Sequence, residues 1–212
     1  MVTGAAAEIR CGICQRVQPP FAKAIAYGSY EGGLRGLLHL LKYEQVRSAA
    51  NVLGKMLATA VAHSGIDLLT GRFVVVPVPL HARKLRQRGF NQSQLIAEAA
   101  LKHLGWRLQL SSGVLERVRE TRSQIGLTRH QRRENMRGAF TVVQSQAIAG
   151  REVLLVDDVF TTGTTASECA RVLLRAGAAK VWVATVARTL KAGPQEIELP
   201  ADKVSGEEAL AS

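Results

Sequence analysis

The residues best suited to chemistry lie at positions 153–165, V-L-L-V-D-D-V-F-T-T-G-T-T. Four aliphatic residues read as a buried strand ending at Val156, with Asp157 and Asp158 at its C-terminal edge. A small-residue turn, Thr161, Thr162, Gly163, Thr164 and Thr165, then opens a helix. Such a turn suits a phosphate. Its backbone N–H groups can converge, glycine admits a close approach, threonine hydroxyls add donors, and the helix directs its positive end at the same point. The carboxylates do a different job: they accept hydrogen bonds from vicinal hydroxyls and can hold Mg²⁺ directly or through water. A phosphate cradle beside a diol-binding acid pair describes a ribose 5-phosphate site. The plainer alternative is a tight strand–helix connection capped by threonine, but the length of the whole string favours a ligand. The chain contains neither G-x-x-x-x-G-K-[ST] nor G-x-G-x-x-G, which counts against a P-loop NTPase or a dinucleotide fold.

These residues need a frame. A short strand is expected from Ala24 to Tyr30. Leu34, Leu37, Leu38 and Leu41, then Val52, Leu53, Met56, Leu57, Ala60 and Val61, recur at helical spacing, predicting one or two helices over 34–63. F-V-V-V-P-V-P-L at 73–80 reads as a buried strand whose prolines disturb its end. Asn91 is placed to cap a helix running to Leu104 and closed by Gly105. Strands are expected at 106–110, 113–117, 139–143 and 181–187, and a helix at 164–176 with Cys169 facing the core. Strands that are apolar on both faces and alternate with helices imply a largely parallel sheet covered on both sides. The chain divides into a Cys-containing module (1–20), an α/β domain (21–189) with a helical hood (21–70), and a tail (190–212) expected to be disordered.

The chain has 28 Lys+Arg against 17 Asp+Glu. The tail holds two lysines and five acids, so its net charge is −3, and residues 1–189 carry +14, for a total of +11. Such a body favours anionic partners, phosphorylated small molecules or nucleic acid. Cys11, Cys14 and Cys169 are an odd set, which argues against a disulfide framework. Without a recognisable export signal or a membrane-length apolar run, the expected location is the cytoplasm.

The 153–165 string closely resembles the phosphoribosyl diphosphate signature of type I phosphoribosyltransferases. V-V-P-V-P-L-H-A-R-K-L-R-Q-R-G-F-N-Q at 75–92, R-x-R-x-T-x-x-Q-x-x-L at 117–127 and R-x-E-N-M-R-G-A-F at 132–140 resemble its ComF/GntX branch, whose namesake is a competence protein of DNA uptake. The resemblance implies a type I phosphoribosyltransferase-like fold with a small N-terminal hood. It implies binding of phosphoribosyl diphosphate with Mg²⁺ and transfer of the phosphoribosyl group to an acceptor that the sequence does not name. The acid pair would serve catalysis, and the loop at 80–91 would hold the diphosphate through His81, Arg83, Lys84 and Arg88, with Arg86 nearby. The basic stretch 119–138, with Arg122, Gln124 and Arg129, would be the flexible loop that closes over the reacting centre. A binding or regulatory protein that meets single-stranded DNA through these basic loops is the alternative, although Phe90 is the one aromatic residue they offer for stacking. Members of this branch often begin with two cysteine pairs that bind Zn²⁺. Here Cys11 and Cys14 make only one, so the module is incomplete, binds nothing, or shares its ion across a dimer.

Overall fold

The computed structural model describes residues 18–68, 73–105, 108–121 and 129–189. In chain order it contains β1 (Ala24–Ser29), α1 (Gly32–Tyr43), α2 (Ala49–Ala62), β2 (Phe73–Pro77), α3 (Ala82–Arg88), α4 (Gln92–Leu104), β3 (Gln109–Leu110), β4 (Leu115–Arg117), α5 (Arg129–Met136), β5 (Phe140–Val142), β6 (Glu152–Phe160), α6 (Thr164–Arg175) and β7 (Lys180–Arg188). Among the described residues no helix is long and apolar enough to cross a membrane.

Five strands form one parallel sheet in the order β1-β7-β6-β2-β3. Successive side chains of a strand face opposite ways, and both faces here are apolar. Phe73, Val75, Leu154, Val156, Ala184 and Val186 pack with Leu38, Leu41, Leu53, Leu57, Ile96 and Ala100 of α1, α2 and α4. Val74, Val76, Val153, Leu155, Val181 and Val183 pack on the other side with Cys169, Ala170 and Leu173 of α6 and with Leu115 and Phe140. Those last two belong to an antiparallel ribbon of β4 and β5. Helices α2 and α4 lie very close: a Cβ on Gly54 would stand 2.4 Å from that of Ala99.

The expected fold class is therefore the observed one, with local differences. The 34–63 stretch makes two helices, α1 and α2, because Gln45 at φ 57° turns the chain between them. Strand β2 stops at Pro77 rather than Leu80, since Pro77 and Pro79 have no N–H to donate. The 80–91 segment is not an open loop but holds α3, and the 119–138 stretch contains α5. Strand β6 does not end at Val156. Its ladder with β2 stops there, at Pro77↔Val156, but its ladder with β7 continues through Asp157↔Thr185 to Phe160↔Arg188. The acid pair thus lies inside a strand paired on one side only.

That one-sided stretch sits at a special place. From β2 the chain moves outward to β3, and from β6 it moves the opposite way to β7. The connections diverge between β2 and β6, so a crevice opens at their carboxyl ends, the usual ligand position of an open α/β sheet.

Candidate functional site

Asp157 and Asp158 meet different partners. Asp157 is half-buried, and its Oδ1 accepts hydrogen bonds from Ser93 Oγ at 3.0 Å and from the Asp158 N–H at 2.9 Å. Ser93 is itself placed by Asn91, which caps α4 by accepting from the Ser93 N–H at 3.1 Å and donates to the Val78 carbonyl at 3.0 Å. Asn91 thereby fastens the chain leaving β2 to the start of α4. Burial among protein groups, then the charge of Asp158, pushes the Asp157 carboxyl up to about 7, against the opposing pull of Lys42 and Ser93.

Asp158 is buried, and its Oδ2 lies 2.7 Å from Lys42 Nζ at the end of α1. The contact is a close ion pair off the ideal hydrogen-bond direction, and Oδ2 has no well-aligned donor. Burial alone would lower the Lys42 ammonium. The attraction of Asp158, assisted by Asp157, outweighs it, and the net shift is upward.

The turn at 161–165 bends sharply at its glycine. Gly163 sits at φ 74° immediately before α6, a conformation that L side chains rarely take, and a Cβ there would come within 2.7 Å of the Phe160 ring. Phe160 is in turn packed edge-on to Phe21, ring centres 6.1 Å apart. Thr162 and Thr164 hydroxyls hydrogen-bond at 2.8 Å. Asp157, Thr161, Gly163, Thr164, Thr165 and Thr185 line one concavity at the head of α6, onto which the leading N–H groups of that helix open. Thr162 and Asp158 are not among its lining residues. Behind the turn, Cys169 is a fully buried free thiol, pushed well above its ordinary pKa by burial and by Asp157.

Across the crevice, α3 presents the predicted cations. His81 caps it, Nδ1 accepting from the Arg83 N–H at 3.4 Å, and Gly89 closes it at φ 78°. Arg83, Lys84 and Arg86 are exposed. Arg83 pairs with Glu120 at 3.4 Å, while Arg88 donates to Gln92 at 2.5 Å and lies 6.0 Å from the Tyr43 ring. Partial burial, then the charges of Arg117, Arg88 and Lys42, lowers the Lys84 ammonium against the pull of Glu120. Cations crowded in this way favour an anion between them. Phe90, the aromatic residue expected to be available for stacking, is instead buried beneath Arg47, whose guanidinium lies 5.0 Å from the ring centre.

Arg122, Gln124, Cys11 and Cys14 lie outside the described residues; Arg129 opens α5. Among the described residues no three His, Cys, Asp or Glu side chains gather to hold a metal. Lys42, Ser93 and Glu168 escaped the sequence reading, and Arg117 entered it only as the first residue of a motif. Arg117 stands over Phe140 at 5.5 Å, hydrogen-bonds Thr121, and keeps a buried Nε without a partner. Glu168 accepts from the Gly138 N–H at 2.7 Å and from Arg171 at 2.9 and 2.5 Å, tying the segment after α5 to α6. Burial opposes the Glu168 charge, but Arg171 and Gly138 hold its carboxyl below the ordinary value.

Residues 96–207 match the phosphoribosyl transferase domain model. The chain is 35% identical over 187 residues to the DNA utilization protein YhgH of Escherichia coli O157:H7, covering 86% of this chain and 79% of that one. It is 30% identical over 180 residues to competence protein F of Haemophilus influenzae, covering 84% and 78%. Over 108 residues it is 30% identical to competence protein ComFC of Bacillus subtilis, covering 50% and 40%. With the parallel sheet and the 153–165 string at its switch point, these matches make the chain a member of the ComF family of phosphoribosyltransferase-fold proteins.

Proposed function

We propose that this protein binds a phosphoribosyl diphosphate in the crevice between β2 and β6 and transfers its phosphoribosyl group to an acceptor. The observation that carries the reading is a convergence. The turn at Thr161, Thr162, Gly163, Thr164 and Thr165 and the acids Asp157 and Asp158 stand at the switch point, with the cationic α3 on the other strand's side. The turn cradles the 5-phosphate, Asp157 and Asp158 accept from the ribose hydroxyls, and His81, Arg83, Lys84 and Arg88 face the diphosphate.

Transfer breaks the bond from C1′ to the diphosphate oxygen. The electron pair leaves with the diphosphate while the acceptor's lone pair forms the new bond to C1′. The protein's part is to hold both ends of the donor, to neutralise the departing charge and to keep water from C1′. Mg²⁺ fits this donor set. Two adjacent carboxylates match an ion that draws its remaining ligands from substrate phosphates and water. Asp157 and Asp158 would hold it, and it would supply charge neutralisation of the leaving group.

Calorimetric titration with phosphoribosyl diphosphate and Mg²⁺ tests the reading, with Asp157→Asn alongside. Saturable binding that the variant loses is expected. A well-folded wild-type protein that binds nothing would rule out the pocket. The exposed cations of α3 support a second reading, contact with DNA, in keeping with the names of the relatives. Such binding would fall steeply with salt, and affinity unchanged between low and high salt would exclude it.

A further inference from the structure

We propose that Lys42 is a displaceable lock: it occupies Asp158 in the empty site and passes to the phosphates of the ligand when ribose hydroxyls take its place. The inference rests on the ribose-phosphate reading and adds its order of events. Lys42 Nζ, 2.7 Å from Oδ2, takes up acceptor capacity of Asp158 that a ribose hydroxyl would otherwise use.

Several features argue against a permanent bolt. A carboxylate buried for structural purposes alone normally has its hydrogen bonds completed by well-placed donors, as Glu168 does with Gly138 and Arg171. Asp158 Oδ2 has none in good alignment. An ammonium carries three donors, and Asp158 is the partner seen for this one. Lys42 also keeps 17% of its side chain exposed, against 8% for Asp158, so the cation is the half of the pair that can move into solvent or toward a ligand.

Its place in the fold gives it somewhere to go. Lys42 lies in the last turn of α1. The next residue, Tyr43, sits beneath the guanidinium of Arg88, which joins the end of α1 to the end of α3. Just beyond, Gln45 holds the one positive φ among the described non-glycine residues, so the helix ends at a strained corner rather than continuing into α2. A diphosphate held by α3 would therefore stand beside the released ammonium. Transfer of Lys42 from a carboxylate to a phosphate keeps its charge compensated throughout, while Asp158 exchanges an ion pair for hydroxyl donors.

The test compares two ligands. Ribose 5-phosphate and phosphoribosyl diphosphate, each with Mg²⁺, are titrated calorimetrically into wild type and Lys42→Met, a substitution that keeps the apolar stem. The lock predicts opposite responses: affinity for the diphosphate falls roughly tenfold or more, the scale of one charge-assisted hydrogen bond, while affinity for ribose 5-phosphate holds or rises. Equal weakening for both ligands would mark Lys42 as a purely structural residue and overturn the lock alone. No binding by folded wild type would overturn the ribose-phosphate reading and the lock with it. Should Lys42→Met fail to fold, a crystal structure of wild type with ribose 5-phosphate decides. Lys42 and Asp158 drawn apart supports the lock, and a pair intact at its present distance refutes it.

Discussion

The two walls of the crevice are built on different principles. The turn after β6 is held from behind by core: Ala166, Cys169, Ala170 and Leu173 of α6 are buried, and Gly163 is fixed in a left-handed conformation against Phe160. The helix after β2 has no buried residue at all. It is defined at its ends, by the His81 cap and by Gly89, and its side chains reach out from an otherwise exposed cylinder. One wall therefore presents backbone in a fixed shape, and the other presents exposed charge. That division suits a ligand with one end that stays and one that leaves.

The comparison can be broken most forcefully at Gly163. Gly163→Val should cost about 3 kcal/mol of stability through the φ it imposes and the displacement of Phe160, and should abolish binding of ribose 5-phosphate. Chemical denaturation and calorimetry read the two effects. A stable variant that still binds would mean that the turn is not set by its backbone.

Asp157 gives the next effect, and its sign is fixed by its environment. A carboxyl raised from 3.8 to about 7 is favoured in its neutral form by the folded state. Its contribution to stability is complete below about 4 and lost as pH rises through about 7. The urea midpoint of wild type should therefore fall relative to that of Asp157→Asn between pH 4 and 7.5. A constant difference across that range would show the carboxyl ionising at its ordinary value.

On the other wall, Arg83→Gln with Lys84→Gln should leave stability within about 0.5 kcal/mol of wild type, as expected for exposed side chains. The same pair should weaken phosphoribosyl diphosphate binding roughly tenfold or more and spare ribose 5-phosphate. Loss of both ligands together would erase the distinction between the walls. Smallest of all, Glu120→Gln removes an exposed partner of Arg83 at 3.4 Å. It should change the unfolding midpoint by no more than about 0.5 kcal/mol equivalent, and a larger shift would mean that α3 is anchored through its side chains after all.

The fixed wall was also the legible one. The identities at 157–165 announce carboxylates, glycine and threonines in consecutive positions, and local chemistry largely dictates what such a turn does. The parallel sheet was legible for a similar reason, since strands buried on both faces cannot hide their composition. Lys42, Ser93, Arg117 and Glu168 were not legible. Lys42 and Ser93 owe their roles to partners far along the chain, as with Ser93 and Asp157, 64 residues apart, and a lone lysine in the last turn of a helix carries no spacing signal. The end of β6 was misplaced because Asp-Asp reads as the close of a strand, whereas pairing with β7 overrides that local preference. The 80–91 helix was missed because its polar side chains show no apolar period: it has no buried face to betray it.

Cys169, sealed behind the 161–165 turn, gives the fixed wall a clock. A thiol that is fully buried and held protonated reacts with an alkylating reagent only in the moments when α6 comes away from the sheet. With Cys11 and Cys14 replaced by serine, and reagent concentrated enough to outpace reclosing, the labelling rate of the folded protein becomes the opening frequency of that wall. A ligand seated in the turn would lengthen the interval between openings, so occupancy could be read in seconds by mass spectrometry, without any acceptor being known.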